Sequence, residues 1–117
     1  MSVPLRITFR NLSHSDAVEA RIRDKAQKLQ RFSNLLTDAH VVVDAPHRHH
    51  HKGRTYHVAI ELHLAGAPLV VNRDPGKDHG HEDVYVALRD AFDVALRRLD
   101  EHVSKGRHEE RLAQVGA

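Results

Sequence analysis

Val3, Leu5, Ile7 and Phe9 alternate with Pro4, Arg6, Thr8 and Arg10, a period of two that places four apolar side chains on one face of a strand. Asn11 to Ser15 supplies turn and cap chemistry. Ser15 is the favoured N-cap of a following helix and Ser13 the alternative, with Asp16 and Glu19 suited to its positive end. That helix is expected to reach about Phe32, because Val18, Ile22, Ala26, Leu29 and Phe32 recur at intervals of four, four, three and three, a stripe that Leu36 caps. HVVVD at 40–44 is a short β-branched run, and Tyr56, Val58, Ile60, Leu62 and Leu64 alternate with His57, Ala59, Glu61 and His63, so two more strands follow. Between them, APHRHHHKGR at 45–54 reads as an exposed hairpin loop. AGAP at 65–68 predicts a tight turn into a fourth strand over 69–73, and an irregular connection over 72–81 leads to Glu82 and Asp83, acidic residues suited to a helix start. The last helix presents Val84, Leu88, Ala91, Phe92, Ala95 and Leu99 on one face and is expected to run to about Ser104, with Lys105-Gly106 as its stop and 106–117 as a flexible tail.

The order β-α-β-β-β-α predicts an α+β fold: a two-layer sandwich in which a four-stranded sheet carries both helices on one face. The β-α-β opening makes the first two strands parallel if they are neighbours. A chain of 117 residues accommodates one core, assigned to residues 1–105. Cysteine is absent, which excludes disulfides, thiolate metal sites and a cysteine nucleophile and suits a reducing cytoplasm. The longest uncharged, largely apolar stretch runs only from Leu64 to Val71 and is broken by Gly66 and Pro68, whereas a spanning helix needs about 18 to 20 residues. No membrane partner is expected, and the alternating start MSVPLRITFR does not read as a secretory signal.

Charge changes the picture once it is divided along the chain. Residues 1–35 carry a net +4, residues 36–80 are balanced and residues 81–117 carry −2, within an overall +2. A basic amino-terminal third points to a polyanion partner, because clustered cations release counterions from nucleic acid. Aromatic content of 4% argues against a base-stacking single-strand binder.

At about 100° per residue, Arg21, Lys25 and Lys28 fall within about 60° of one another on the first helix, with Arg31 about 60° further round. The functional reading is phosphate contact along an RNA backbone, and the plain one is a solvated face. Arg89, Arg97 and Arg98 lie away from the second apolar stripe, interspersed with Asp90, Asp93, Asp100 and Glu101, an arrangement that also suits ion pairing along a helix face. His47, Arg48, His49, His50, His51 and Lys52 form the most unusual local feature among the twelve histidines. They read as a cationic finger for a phosphate groove, as a zinc, nickel or copper site, or as a solvated loop. No GxSxG, phosphate-loop, dinucleotide or HExxH pattern appears, so neither an enzyme nor a small-molecule substrate is expected, and no cofactor or metal is assigned.

Two stretches resemble a known family. RNLSHSDAVEARIRDKAQKL at 10–29 resembles the amino-terminal strand-helix pattern of the ribosome hibernation-promoting factors, also called ribosome-associated inhibitor A or sigma-54 modulation proteins, through Arg10, Asn11, Ser15, Ala17, Lys25, Lys28 and Leu29. HEDVYVALRDAFDVALRRL at 81–99 resembles the second helix through Asp83, Tyr85, Ala87, Asp93, Arg97 and Leu99. The resemblance covers roughly residues 3–105 and the same element order. It implies a bacterial, stress-time translation inhibitor that sits in the mRNA and tRNA channel of the small ribosomal subunit, contacts rRNA phosphates through both helices and is monomeric off the ribosome. By that likeness Arg21, Lys25, Lys28 and Arg31 supply the amino-terminal contacts and Arg97 the best second-helix contact, with Arg89, Arg98 and the histidine loop as supplements. The second helix departs from the pattern: Val94 stands where the family commonly has Lys, and Asp100, Glu101 and Val103 occupy an often basic segment. The alternative function is a histidine-rich metal-binding module.

Overall fold

A computed structural model describes residues 3–45, 55–64, 67–72 and 83–115. Its elements are β1 (Leu5–Arg10), α1 (Asp16–Ala26) continued by a 3₁₀ segment (Gln27–Phe32), β2 (Leu36–Asp44), β3 (His57–Leu64), β4 (Ala67–Asn72) and α2 (Val84–Val115). The strands form one four-stranded sheet in the order β1-β2-β3-β4. β1 and β2 are parallel and the other neighbours antiparallel, so the α+β sandwich expected from the pattern is the fold observed.

Register explains why one sheet face is dry. Ile7 pairs with Val41, Val41 with Ile60 and Ile60 with Val71, so one apolar row crosses all four strands. Rows above and below it contain Leu5, Ala39 and Leu62, and Phe9, Val43 and Val58. These rows pack against Val18, Ile22, Leu29 and Phe32 from the first helical element and against Leu88, Phe92, Ala95 and Leu99 from α2. Among the described residues no polar or charged side chain is buried in this layer. The opposite face carries Arg6, Thr8, His40, Glu61 and His63, and among the described residues no helix packs over it.

Four boundaries differ from the sequence expectation, each for a local reason. The first helix is α-helical only to Ala26 and then winds as 3₁₀ to Phe32. The apolar intervals change from four to three at Ala26, and three residues per turn keep Ala26, Leu29 and Phe32 in line toward the core. β2 begins at Leu36, well before residue 40, and a bulge between Leu36 and Asp38 inserts Thr37 opposite β3. Both Leu36 and Ala39 therefore face inward, which breaks the alternation that marks a strand. The Thr37 hydroxyl donates to the His63 carbonyl across that bulge at 3.0 Å. β4 starts at Ala67 with Pro68 inside it, a position open to proline because the strand lies at a sheet edge. Finally, α2 passes through Lys105-Gly106 and continues to Val115. An interior glycine costs about 1 kcal/mol relative to alanine, and the following RHEERLA segment of good helix formers carries the helix past it.

The predicted caps are in place. The Ser15 hydroxyl accepts the Val18 N–H at 3.3 Å, and the Asp83 carboxylate accepts the Tyr85 N–H at 2.9 Å at the start of α2. Asn11 ends β1 at φ 61°, a left-handed conformation that asparagine tolerates better than most residues. Its side-chain amide donates to Asp44 at 2.8 Å and so ties the turn to the end of β2.

Candidate nucleic-acid interface

The cations expected to meet phosphate are not equivalent once folded. Lys25 and Lys28 lie on α1 and the 3₁₀ segment with no ion pair or hydrogen bond to their ammonium groups among the described residues. Lys28 is exposed and Lys25 half-buried, which fits an aliphatic stem lying along the domain with its charged end in water. Arg97, exposed on α2, is likewise unpaired among the described residues. Arg21 stacks its guanidinium on the Tyr85 ring at 4.7 Å, a cation–π contact that fixes the side chain between α1 and α2 and leaves its charge intact.

Three other expected contacts are engaged within the domain. The 3₁₀ winding eclipses Arg31 with Lys28, bringing it into line with the basic ridge, yet its guanidinium turns to α2. One of its terminal nitrogens donates to both Asp100 oxygens at 2.9 and 3.1 Å, and the group also covers the Phe32 ring at 4.7 Å. Asp100, which departs from the basic pattern at the end of the second helix, is thus the partner that holds the 3₁₀ segment to α2. Arg89 pairs with the adjacent Asp90 at 3.3 Å. Arg98 donates to the Val70 carbonyl at 2.9 Å, satisfying an acceptor on edge strand β4. The finger comprising His47, Arg48, His49, His50, His51 and Lys52 lies outside the described residues.

Sequence reasoning missed Tyr85 and Asp100 as supports of the basic layer. Arg31 and Asp100 are 69 residues apart in the chain, so no local pattern marks the pair. On the uncovered sheet face, burial holds the His40 imidazole below the ordinary histidine range. Arg6 and Arg10 push the same way, against an opposing pull from Glu61.

The fold and its surface therefore define a small α+β domain with cations presented by its helical layer. A family model for the Sigma 54 modulation protein / S30EA ribosomal protein matches residues 5–107, and the chain belongs to that family. The family is one of ribosome-associated modulation proteins and not of enzymes. A ribosomal subunit interface protein from Coxiella burnetii superposes with a TM-score of 0.70 at 13% identity, covering 87% of this chain and 99% of that one. The Protein Y N-terminal domain from Thermus thermophilus gives a TM-score of 0.61 at 24% identity, over 90% of this chain and 98% of that one. At these identities both likenesses speak to the fold alone. No curated protein matches the chain. No helix among the described residues is long and apolar enough to cross a membrane.

Proposed function

We propose that this protein is a cytoplasmic ribosome hibernation factor of bacterial type: it occupies the mRNA and tRNA channel of the small subunit and inhibits translation in stress or stationary phase. Residues 1–105 form the binding unit, rRNA is the partner, and no reaction is catalysed. The observation that carries the reading is the row Arg21, Lys25 and Lys28, whose charges are free of acidic partners among the described residues, on a member of a ribosome-associated family. Phosphate contact needs that kind of surface, since it requires charge at roughly helical spacing and no base-reading aromatics. Arg97 extends the contact to α2, while Arg31, Arg89 and Arg98 contribute less because their guanidiniums are already bonded. His47, Arg48, His49, His50, His51 and Lys52 act as a supplementary finger on rRNA.

Co-sedimentation with small subunits, with and without mRNA and initiator tRNA, tests the proposal. Binding is expected to weaken as salt rises, to be lost when mRNA and tRNA fill the channel, and to accompany reduced translation in vitro. Binding that persists beside mRNA and tRNA would overturn the channel placement.

A further inference from the structure

The last cation of the basic row stands apart from Arg21, Lys25 and Lys28. Because the segment Gln27–Phe32 winds as 3₁₀, Arg31 follows Lys28 by one turn on the same line. Its charge nevertheless points at α2. One terminal nitrogen donates to both Asp100 oxygens at 2.9 and 3.1 Å, and the guanidinium carbon lies 4.7 Å from the centre of the Phe32 ring. Among the described residues no other member of the row has an acidic partner.

This pair is neither buried nor sealed. The Arg31 and Asp100 side chains are 60% and 59% exposed, so water screens the attraction, and the bonded arrangement outweighs an open one by about fivefold at most. A hollow of 580 Å³ opens beside the pair, between the end of the 3₁₀ segment and α2. Asp100 is the one carboxylate among its lining residues, where Asn34 and Ser104 add uncharged hydrogen-bond donors. A guanidinium fork binds phosphate as readily as carboxylate. A phosphate entering the hollow can therefore take the place of Asp100 while Arg31 keeps its contact with Phe32.

We infer that this hollow is a phosphate station of the RNA-binding surface, in which Asp100 stands in for the phosphate and withholds Arg31 until an RNA phosphate displaces it. The inference rests on the reading of the protein as an rRNA binder, and it deepens that reading by one contact in line with Lys28. Asp100 thereby sets the affinity below what the row of cations would give. Two effects act together: the carboxylate occupies the Arg31 donors, and its own charge repels a phosphate in the same hollow. Replacing it by an amide of the same shape frees one cation and removes one repulsion. Asp93 and Glu101 supply the controls, since both are exposed carboxylates of α2 and neither pairs with Arg31. Losing either changes the net charge equally but leaves Arg31 on Asp100.

The test is a double-mutant cycle on the full chain, read over a range of salt by binding to isolated small subunits and, separately, to a short RNA hairpin. Asp100→Asn should tighten binding by about two- to tenfold and steepen the plot of log K against log salt by up to about 1. Asp93→Asn and Glu101→Gln should each change affinity by less than about twofold, because solvent and salt screen them. In an Arg31→Ala background, Asp100→Asn should lose most of its gain, whereas a general effect of charge would survive there. Circular dichroism of every variant should match the parent, since both members of the pair are exposed. The inference is overturned if Asp100→Asn binds no tighter than the parent, if its gain persists without Arg31, or if Glu101→Gln equals it. A parent that gives this pattern on the hairpin but does not bind small subunits would overturn the ribosome reading and leave the phosphate station standing; a parent that binds neither overturns both.

Discussion

Replacing Lys25 and Lys28 by alanine removes two cations that bond to nothing else among the described residues, while replacing Arg31 and Arg98 removes two that are already bonded. Both pairs cost the same formal charge, so bulk electrostatics predicts equal effects and local geometry does not. With Arg21, Lys25, Lys28 and Arg97 each releasing counterions from one phosphate, the plot of log K against log salt should have a slope of about −3 to −4, at about −0.9 per contact. The rule derives from duplex DNA, so the difference between variants is the better test. The lysine pair should flatten the slope by about 2 and leave thermal stability unchanged or slightly raised, since alanine is the best helix former. The arginine pair should flatten it by less than about 1. Its stability cost lies in the exposed Arg31–Asp100 pair, where both side chains are about 60% accessible, and such pairs contribute about 0 to 1 kcal/mol. Ribosome binding measured by fluorescence anisotropy between low and moderate salt, with melting curves alongside, reads both quantities. Equal slopes for the two pairs would refute the argument that intramolecular bonding decides which cations reach rRNA.

Leu29→Ala should lower unfolding free energy by about 2 to 5 kcal/mol, because the side chain is 1% exposed at the junction of the 3₁₀ segment with the core; chemical denaturation checks this, and a loss below about 1 kcal/mol would deny the site its packing role. His40 has a folded-state pKa below its unfolded value, so the unfolded chain binds its proton first and stability should fall as pH drops through the histidine range toward the folded pKa. His40→Gln should remove that part of the pH dependence below about 6.5 when melting curves of the two proteins are compared. Should the finger at 47–52 reach rRNA as proposed, ribosome affinity will rise as pH falls from about 8 to 6, and a variant with His47, His49, His50 and His51 changed to Gln will lose most of that rise. Identical pH profiles would make the finger a solvated connection.

What local sequence determines here is whatever depends on neighbours a few residues away. The alternation from Val3 to Phe9, the stripe from Val18 to Phe32 and the Ser15 cap each encode a backbone preference that packing then keeps. Even the 3₁₀ winding was legible, as the change of apolar interval from four to three at Ala26, though a single helix of 3.6 residues per turn hides it. Family membership was legible for the same reason, since cap, turn and core residues at fixed spacing are local facts.

Tertiary structure alone decided which charges are available and which polar groups meet. Arg31 finds Asp100 and Arg98 finds Val70 because helix packing brings distant segments together, so composition counts cations that the fold has already spent. From Asp38 to Asp44, β2 keeps one unbroken register against β3, and the bulge at Thr37 shifts only Leu36, onto Leu64. That register sets His40 opposite Glu61 and Asp38 opposite His63 on two strands separated by a long connection, which is why no reading of β2 alone placed them together. The continuation of α2 past Gly106 is the reverse case: a local stop signal worth about 1 kcal/mol yielded to the helix on either side of it.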